Sequence, residues 1–383
     1  MAITGLGIEL AIFLFTAFVA YYVSVRLGLT VIVAEIILGV ILGPSVLGIV
    51  SYGESVRILG ELGAIFLLFV VGFEINFKDI YTLKNSVIAV FGVAVPFASG
   101  YLLAVLFGYS IVQGMFIGTA LTATSIAITA YVLKELNYLN TPVAKAIIGA
   151  AVVDDVLALL ALSITVSFSA GSFSLSALFL KIVIAVLFVG GTVAVSPFIK
   201  KILNWADKWG KNTGHPKVIL IFAVAFAFAY SALAEIIGLS AIVGAFLAGV
   251  TMHGLVIKEA KEGAEYLEMV FAAIFFVSIG ILVDFNKISF NTFFFVLMFV
   301  AILSKVIGCM IPALVFGFKP KNALLVGVGM LPRGEIALVV GLIGLTNGII
   351  DQTLYGAILA MTIITTILAP FALSFILKRY PKL

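Results

Sequence analysis

Long apolar stretches run along most of the chain, and short segments with charges, glycines and prolines separate them. These breaks give segments of about 20 residues, the length that a helix needs to cross the bilayer core. A membrane β-barrel would instead show segments of about ten residues that alternate apolar and polar. The pattern predicts about thirteen membrane-spanning helices, at 7–26, 30–48, 57–74, 85–109, 111–134, 141–168, 174–200, 216–237, 239–253, 263–284, 290–316, 321–346 and 352–377.

The composition leads to the same class of protein. Of 383 residues, 63% are hydrophobic and only 10% are charged, and the mean hydropathy is +1.31. Soluble proteins carry roughly a quarter charged residues, so the composition excludes soluble enzymes and nucleic-acid-binding proteins. Because no polar stretch is long enough for a soluble domain, we expect a single transmembrane domain over 1–383 and no regulatory domain in this chain.

The positive charges are unevenly distributed among the predicted connections. Most lysines and arginines lie in or beside the odd-numbered connections and in the C-terminal tail, whereas the even-numbered connections contain only Arg57 and Lys287. Cytoplasmic loops carry the excess of basic residues. The chain is therefore predicted to be a multi-pass protein of the cell membrane, with its N-terminus outside and its C-terminus in the cytoplasm.

Three ionisable side chains fall near the middle of predicted spans. Asp154 and Asp155 are adjacent in 141–168, and Lys305 lies in 290–316. A charge at the bilayer centre costs about 2.5–3.5 kcal/mol on insertion scales, so such residues are by default functional. Neighbours on a helix point about 100° apart, so the two carboxylates are expected to divide their roles. Lys305 is the evident counter-charge.

Two predicted spans carry residues that interrupt helices. The span 111–134 contains Thr122, Thr124 and Ser125 near its middle, and 321–346 contains Leu331-Pro332-Arg333-Gly334-Glu335. Hydroxyl groups can satisfy the backbone of an interrupted helix. These spans are the fifth and twelfth, an odd offset, so a repeat with that spacing would be inverted. Interrupted helices in corresponding positions of two inverted halves indicate a transporter's midplane site.

In this order, the polar motifs resemble those of the monovalent cation:proton antiporter-2 family, and most closely its NapA-type sodium/proton antiporters. The resemblance covers essentially the whole chain and rests on Thr122-Ala123-Thr124-Ser125, Asp154-Asp155, Phe276-Val277-Ser278-Ile279-Gly280 with Asp284, Lys305, and Pro332-Arg333-Gly334-Glu335. It implies an all-α, NhaA/NapA-like fold with inverted repeats and two crossed broken helices. It also implies a core domain containing 85–168 and 290–377, and a homodimer-forming panel that includes the first spans and about 174–253.

The resemblance also implies roles for the site residues. Asp155 would bind the cation and exchange it for protons, and Asp154 would form an ion pair with Lys305 that breaks and reforms during transport. Members with lysine rather than arginine at this position are electrogenic. The implied function is exchange of sodium, and also lithium, for protons by elevator-like alternating access, without a cofactor. The partners would be a second copy of the chain and membrane lipid. The physiological role of the protein would be pH homeostasis.

The physical chemistry of the site is consistent with this function. Desolvation favours the neutral form of a carboxyl group and a nearby cation favours the charged form, so protons and sodium compete for one anionic site. Sodium would take oxygen ligands from Asp155, with Thr124 and Ser125 as hydroxyl candidates. Because burial also disfavours a charged lysine, a further hypothesis is that Lys305 itself releases a proton.

Several alternatives remain open from the sequence. Potassium could replace sodium, because neither Asp155 nor the hydroxyl groups set a cavity radius. An intramembrane aspartyl protease would need carboxylates that face each other from different helices, whereas Asp154 and Asp155 are adjacent on one predicted helix. A passive channel is also disfavoured, because a mid-membrane ion pair suits alternating, proton-coupled access better than an open pore. Arg333 and Glu335 are expected to support the broken helices by bonding their ends or each other. Thr124 and Ser125 could cap half-helices instead of contacting an ion.

Overall fold

The computed structural model describes residues 6–171, 174–255, 258–285 and 290–379. In that part of the chain every regular element is helical, as the apolar pattern predicts. The helices are α1 (Leu6–Leu27), α2 (Val31–Leu42), α3 (Glu54–Glu74), α4 (Phe77–Ile80), α5 (Leu83–Leu106), α6 (Ile111–Ala120), α7 (Ile126–Glu135), α8 (Pro142–Ser169), α9 (Leu175–Asn212), α10 (Val218–Ile236), α11 (Ala241–Met252), α12 (Lys258–Ile281), α13 (Thr292–Val315), α14 (Pro320–Gly329), α15 (Glu335–Thr346) and α16 (Gln352–Arg379).

Within the described ranges, nine helices are long and apolar enough to cross a membrane. They are α1, α3, α5, α8, α9, α10, α12, α13 and α16. The predicted spans 111–134 and 321–346 each consist of two short helices, α6 with α7 and α14 with α15. The protein is therefore an all-helical membrane protein.

Two helix ends differ from the sequence prediction. The helix α2 ends at Leu42, before Gly43-Pro44, because a proline disfavours the helical conformation of the residue before it. The helix α9 continues beyond the predicted end at residue 200 to Asn212. Its extension is stabilised on one face, where Leu203 and Ala206 pack into a core with residues of α10 and α12.

The chain forms two compact units. The first unit comprises Met1–Asp79 and Val183–Leu282, and the second comprises Ile80–Ile182 and Val283–Leu383. Within the first unit, α3 and α11 approach each other at Gly72 and Gly249: a Cβ atom on Gly249 would lie 2.1 Å from the carbonyl oxygen of Phe69. Small residues allow this approach of membrane helices, so the first unit is held by close apolar packing.

In the second unit, α5, α6, α13 and α16 share one apolar core, to which Leu103, Phe116, Leu297 and Ile358 contribute. Polar side chains fix several helix starts. Ser110 and Gln113 form a capping box at the start of α6, which satisfies backbone groups that a helix end leaves open. The turn before it uses Gly108 at φ 84°, a conformation that glycine adopts without steric cost. These supports fix the helices around the polar residues described next.

Candidate functional site

The two interruptions in the second unit lie against each other. The segment 121–125 separates α6 from α7, and 330–334 separates α14 from α15. The backbone N–H of Ser125 donates to the carbonyl oxygen of Pro332 at 2.8 Å. A Cβ atom on Gly334 would lie 3.1 Å from the Ser125 Cβ atom, so glycine gives the second segment room for this approach.

Two threonine hydroxyls extend the contact between the interrupted helices. Thr129 donates to the carbonyl oxygen of Gly329 at 2.6 Å, and Thr124 donates to that of Met330 at 3.3 Å. Both carbonyls belong to the end of α14 or the residue after it, where a helix leaves carbonyl groups without intrahelical partners. The hydroxyls of one interrupted helix therefore satisfy the broken end of the other.

Arg333 is enclosed between the interruptions, with 1% of its surface exposed. Its Nη1 donates to the carbonyl oxygens of Leu121 and Ala123, and its Nη2 donates to that of Ala301 at 3.0 Å. Leu121 is the C-cap residue directly after the end of α6. A helix C-terminus carries a partial negative charge of about half an electron, so the guanidinium both bonds this end and neutralises it.

Lys305 forms the electrostatic centre of the site. Its Nζ donates to Asp154 Oδ1 at 2.9 Å, to the carbonyl oxygen of Thr122 at 2.6 Å and to that of Gly92 at 2.8 Å. Lys305 and Asp154 are both completely buried. A buried ammonium needs a counter-charge and acceptors for all its protons, and this one has three acceptors from three helical segments. The ion pair therefore joins α8, α13, α5 and the first interruption.

The two adjacent carboxylates of α8 have different surroundings. Asp154 has no exposed surface, and its second oxygen, Oδ2, has no hydrogen-bond partner among the described residues. Asp155 follows it and keeps 7% of its surface exposed. The structure thus places one carboxylate wholly within an ion pair and leaves the other with slight access.

The structure brings most of the predicted site residues into one network. Asp154 pairs with Lys305, Thr124 and Ser125 lie in the first interruption, and Arg333 lies in the second. Asp155 is adjacent in sequence to Asp154. Glu335 is the first residue of α15, but its side chain lies outside the described residues.

Sequence reasoning missed three members of this network. The carbonyl groups of Gly92 and Ala301 accept from Lys305 and Arg333, and no sequence signal marks a backbone acceptor. Thr366 of α16 donates to the carbonyl oxygen of Arg333 at 2.6 Å. Its neighbours Thr362 and Thr365 are also buried, so a group of threonines within the last apolar span was an available signal.

Comparison with known proteins assigns the chain to a family. The model of a family described as "Sodium/hydrogen exchanger, transmembrane" matches residues 14–379. The chain belongs to the sodium/hydrogen exchanger family. As a member of this family it is a secondary transporter and not an enzyme.

Curated relatives agree with the family assignment, and a solved structure has a similar fold. The chain is similar to a Na(+)/H(+) antiporter of Enterococcus hirae, with 34% identity over 97% of each chain. It is also similar to the Na(+)/H(+)-K(+) antiporter GerN of Bacillus cereus, with 32% identity over 94% of each. The sodium proton antiporter MjNhaP1 of Methanocaldococcus jannaschii has a similar fold, with a TM-score of 0.65, 19% identity and 97% of each chain covered.

Proposed function

We propose that the protein exchanges sodium, and also lithium, for protons across the cell membrane. The observation that carries this proposal is the completely buried ion pair of Lys305 and Asp154 beside Asp155, at the contact of two interrupted helices. Ionisable residues inside a membrane protein mark ion or proton pathways. Membership of the sodium/hydrogen exchanger family and the names of two relatives, a Na(+)/H(+) antiporter and a Na(+)/H(+)-K(+) antiporter, support the choice of ions.

In this proposal Asp155 is the residue at which sodium and protons compete. Its carboxylate is a hard oxygen ligand, which sodium requires, and it keeps 7% exposure while Asp154 has none. Thr124 and Ser125 of the first interruption would supply hydroxyl or backbone oxygens, and Arg333 holds that interruption in place by bonding its carbonyls. Asp155 would carry either one sodium ion or a proton, so that only neutralised forms of the site change sides.

In this proposal, Lys305 makes the exchange electrogenic. When sodium binds and draws Asp154 away from the 2.9 Å contact, the ammonium loses its only carboxylate partner among the described residues. A buried charge without a partner is strongly disfavoured, so Lys305 would release a proton. Exchange would then move more than one proton for each sodium ion and would be electrogenic.

The remaining proposals concern architecture and come from the resemblance to NapA-type antiporters of the monovalent cation:proton antiporter-2 family. They comprise about thirteen spans in inverted repeats, a core of 85–168 and 290–377 that moves like an elevator, and a homodimer-forming panel of the first spans and about 174–253. The two compact units support this division, since their bounds separate the chain in a similar way. The N-terminus would lie outside, and the role would be pH homeostasis.

Potassium is the alternative cation. One relative is named a Na(+)/H(+)-K(+) antiporter, and a weaker match at 25% identity is named a K(+)/H(+) antiporter. The oxygen ligands proposed here do not by themselves distinguish the two ions, because selectivity depends on the size of the cavity and the number of ligands.

The proposal is tested with purified protein in sealed liposomes under an imposed proton gradient. Sodium, lithium and potassium are added in turn, while internal pH and membrane potential are recorded together. We expect sodium and lithium to dissipate the gradient and the rate to depend on the potential. A response to potassium alone would favour the alternative, and no coupled proton movement with any cation would contradict the proposal.

A further inference from the structure

Both tryptophans of the chain lie in the extension of α9. Trp205 is 64% exposed and Trp209 is 49% exposed, although the chain contains only these two. Lys201 and Lys208, on the same stretch, are also exposed. At 100° per residue these four side chains fall within an arc of about 100°. They therefore form a single face of the helix, which we call the Trp-Lys face.

The opposite face of this extension is fixed against the first unit. Leu203 and Ala206 belong to an apolar core with Ile219 and Ala264 of α10 and α12. Gly210 allows a close approach, since a Cβ atom there would lie 2.7 Å from Val218 Cγ1. The rotation of the helix is thereby set, and the Trp-Lys face points away from the core of its own unit.

The apolar part of α9 fixes where this face lies along the membrane normal. No charged residue occurs from 182 to 199, and a helix of that length spans about 27 Å, close to the roughly 30 Å of the hydrocarbon core. Lys200 and Lys201 then mark the edge of the core. Trp205, about 8 Å beyond Lys200 along the helix, then lies at the headgroup layer. Lys208 and Trp209 start about one turn further out, and they reach back toward this layer because side chains on a helix lean toward its N-terminus, here the membrane side.

The lysines of this extension differ in their partners. Lys211 pairs with Asp207 at 2.9 Å, and Lys200 donates to the carbonyl oxygen of His253 at 2.6 Å. Neither Lys201 nor Lys208 forms an ion pair with any residue in the described ranges. The Trp-Lys face thus presents two ammonium groups without counter-charges beside two indole rings.

We propose that the Trp-Lys face binds the headgroups of anionic phospholipids in the adjoining leaflet. Tryptophan is enriched at the membrane interface, where its apolar ring and its N–H group are both accommodated. Basic residues at the membrane surface attract anionic lipid. The face lies within the panel proposed to form the homodimer, but a second copy of the chain fits this part of the panel less well, because a two-fold contact here would bring identical patches together and oppose like charges. The proposal does not depend on which cation the protein transports.

The two tryptophans make the proposal directly measurable, because fluorescence excited at the indole band reports this face alone. The full-length protein is reconstituted in two kinds of phosphatidylcholine bilayer. One contains a small fraction of brominated phosphatidylglycerol and the other the same fraction of brominated phosphatidylcholine, with the bromine near the headgroup in both lipids. Bromine quenches indole fluorescence at contact. We expect the anionic lipid to quench more strongly, by roughly twofold or more, because one surface lysine enriches anionic lipid up to about fivefold.

The two brominated lipids should quench the fluorescence of the double variant K201Q/K208Q equally. Concentrated salt should likewise remove the difference between the two lipids for the unaltered protein, because it screens the lysine charges. The variant K78Q/K319Q removes two other exposed lysines and should retain the preference for phosphatidylglycerol. Equal quenching of the unaltered protein by both lipids would overturn the proposal. Absence of quenching by either lipid would also overturn it, since protein would then cover the face.

Discussion

Two close backbone contacts in this protein have opposite chemistry. In the first unit, α3 and α11 meet at Gly72 and Gly249 through uninterrupted helices, whose backbone groups bond within each helix. In the second unit, the two interruptions meet through the bond from Ser125 to Pro332, and Arg333 and Lys305 bond open carbonyls of the first interruption. Only the second contact offers polar groups that an ion or proton can use. An interrupted helix thus makes membrane-embedded backbone available for chemistry.

The largest effect is expected from Asp155→Asn, which removes the proposed competition at the second contact and leaves the first contact unchanged. Asparagine keeps the size of the side chain but cannot carry the anionic charge. Cation-coupled proton movement in liposomes should fall by more than about 100-fold, the loss expected when an essential ionic interaction worth about 3 kcal/mol is removed. Asp351→Asn, at an exposed carboxylate that caps α16, should exchange normally. Normal exchange by Asp155→Asn would contradict the role proposed for Asp155.

Lys305→Gln tests whether the charge at the second contact does more than hold the interruption. If Lys305 carries a proton, the variant should still exchange sodium for protons but should lose its response to membrane potential. Lys181→Gln, whose ammonium donates to Ser163 at the surface, is the matched control and should stay electrogenic. A Lys305→Gln protein with the unaltered proton-to-sodium ratio would rule out proton carriage by this lysine.

Arg333→Gln asks how much of the second contact depends on one guanidinium. The change leaves the carbonyls of Leu121, Ala123 and Ala301 short of donors, and each buried group left unsatisfied costs about 1–3 kcal/mol. We expect a loss of roughly 3 kcal/mol or more in the free energy of unfolding, measured by denaturation in detergent. Arg333→Lys should recover only part of it, because a lysine cannot reproduce the fork geometry. A stability equal to that of the unaltered protein would show that other groups hold the interruption.

Gly249→Ala is the corresponding test of the first contact. The added Cβ atom would lie 2.1 Å from the carbonyl oxygen of Phe69, and overpacking of this kind costs about 1–3 kcal/mol. The protein should melt at a lower temperature, and the melting curve in detergent measures the change. Gly191→Ala is the control, because nothing lies within 4 Å of its new Cβ atom. Equal melting of both variants would mean that α3 and α11 do not depend on close approach.

The smallest effect is expected from Thr129→Val, which removes one hydroxyl from the second contact while keeping the shape of the side chain. The carbonyl oxygen of Gly329 then loses its donor, at a cost of about 1 kcal/mol. Thr362→Val removes a bond to the carbonyl of Ile358 in the same helix and should cost less. The melting temperatures of the two variants measure these costs. A larger decrease for Thr362→Val would contradict the inference that the Thr129 hydroxyl stabilises the interruption.

The sequence predicted those parts of the molecule that follow from the cost of polar groups in a membrane. The segments 121–125 and 330–334 interrupt helices where hydroxyls and Pro332-Arg333-Gly334 occur, and Lys305 pairs with Asp154. Each of these could be anticipated, because an apolar span contains such residues only when the fold satisfies them.

Other parts could not be predicted from one sequence. The partners of Arg333 are three backbone carbonyls from two distant places along the chain, and backbone groups are the same in every residue. The extension of α9 to Asn212 depends on packing of Leu203 and Ala206 against other helices. Its charges indicate only where the membrane ends, not whether the helix continues.

In the proposed exchange, sodium and protons compete for Asp155 at the second contact. The most direct test adds sodium to purified protein in weakly buffered detergent solution and measures the protons released. We expect the unaltered protein to release protons when sodium binds and Asp155→Asn to release none. Release of no protons by the unaltered protein, or equal release by Asp155→Asn, would contradict it.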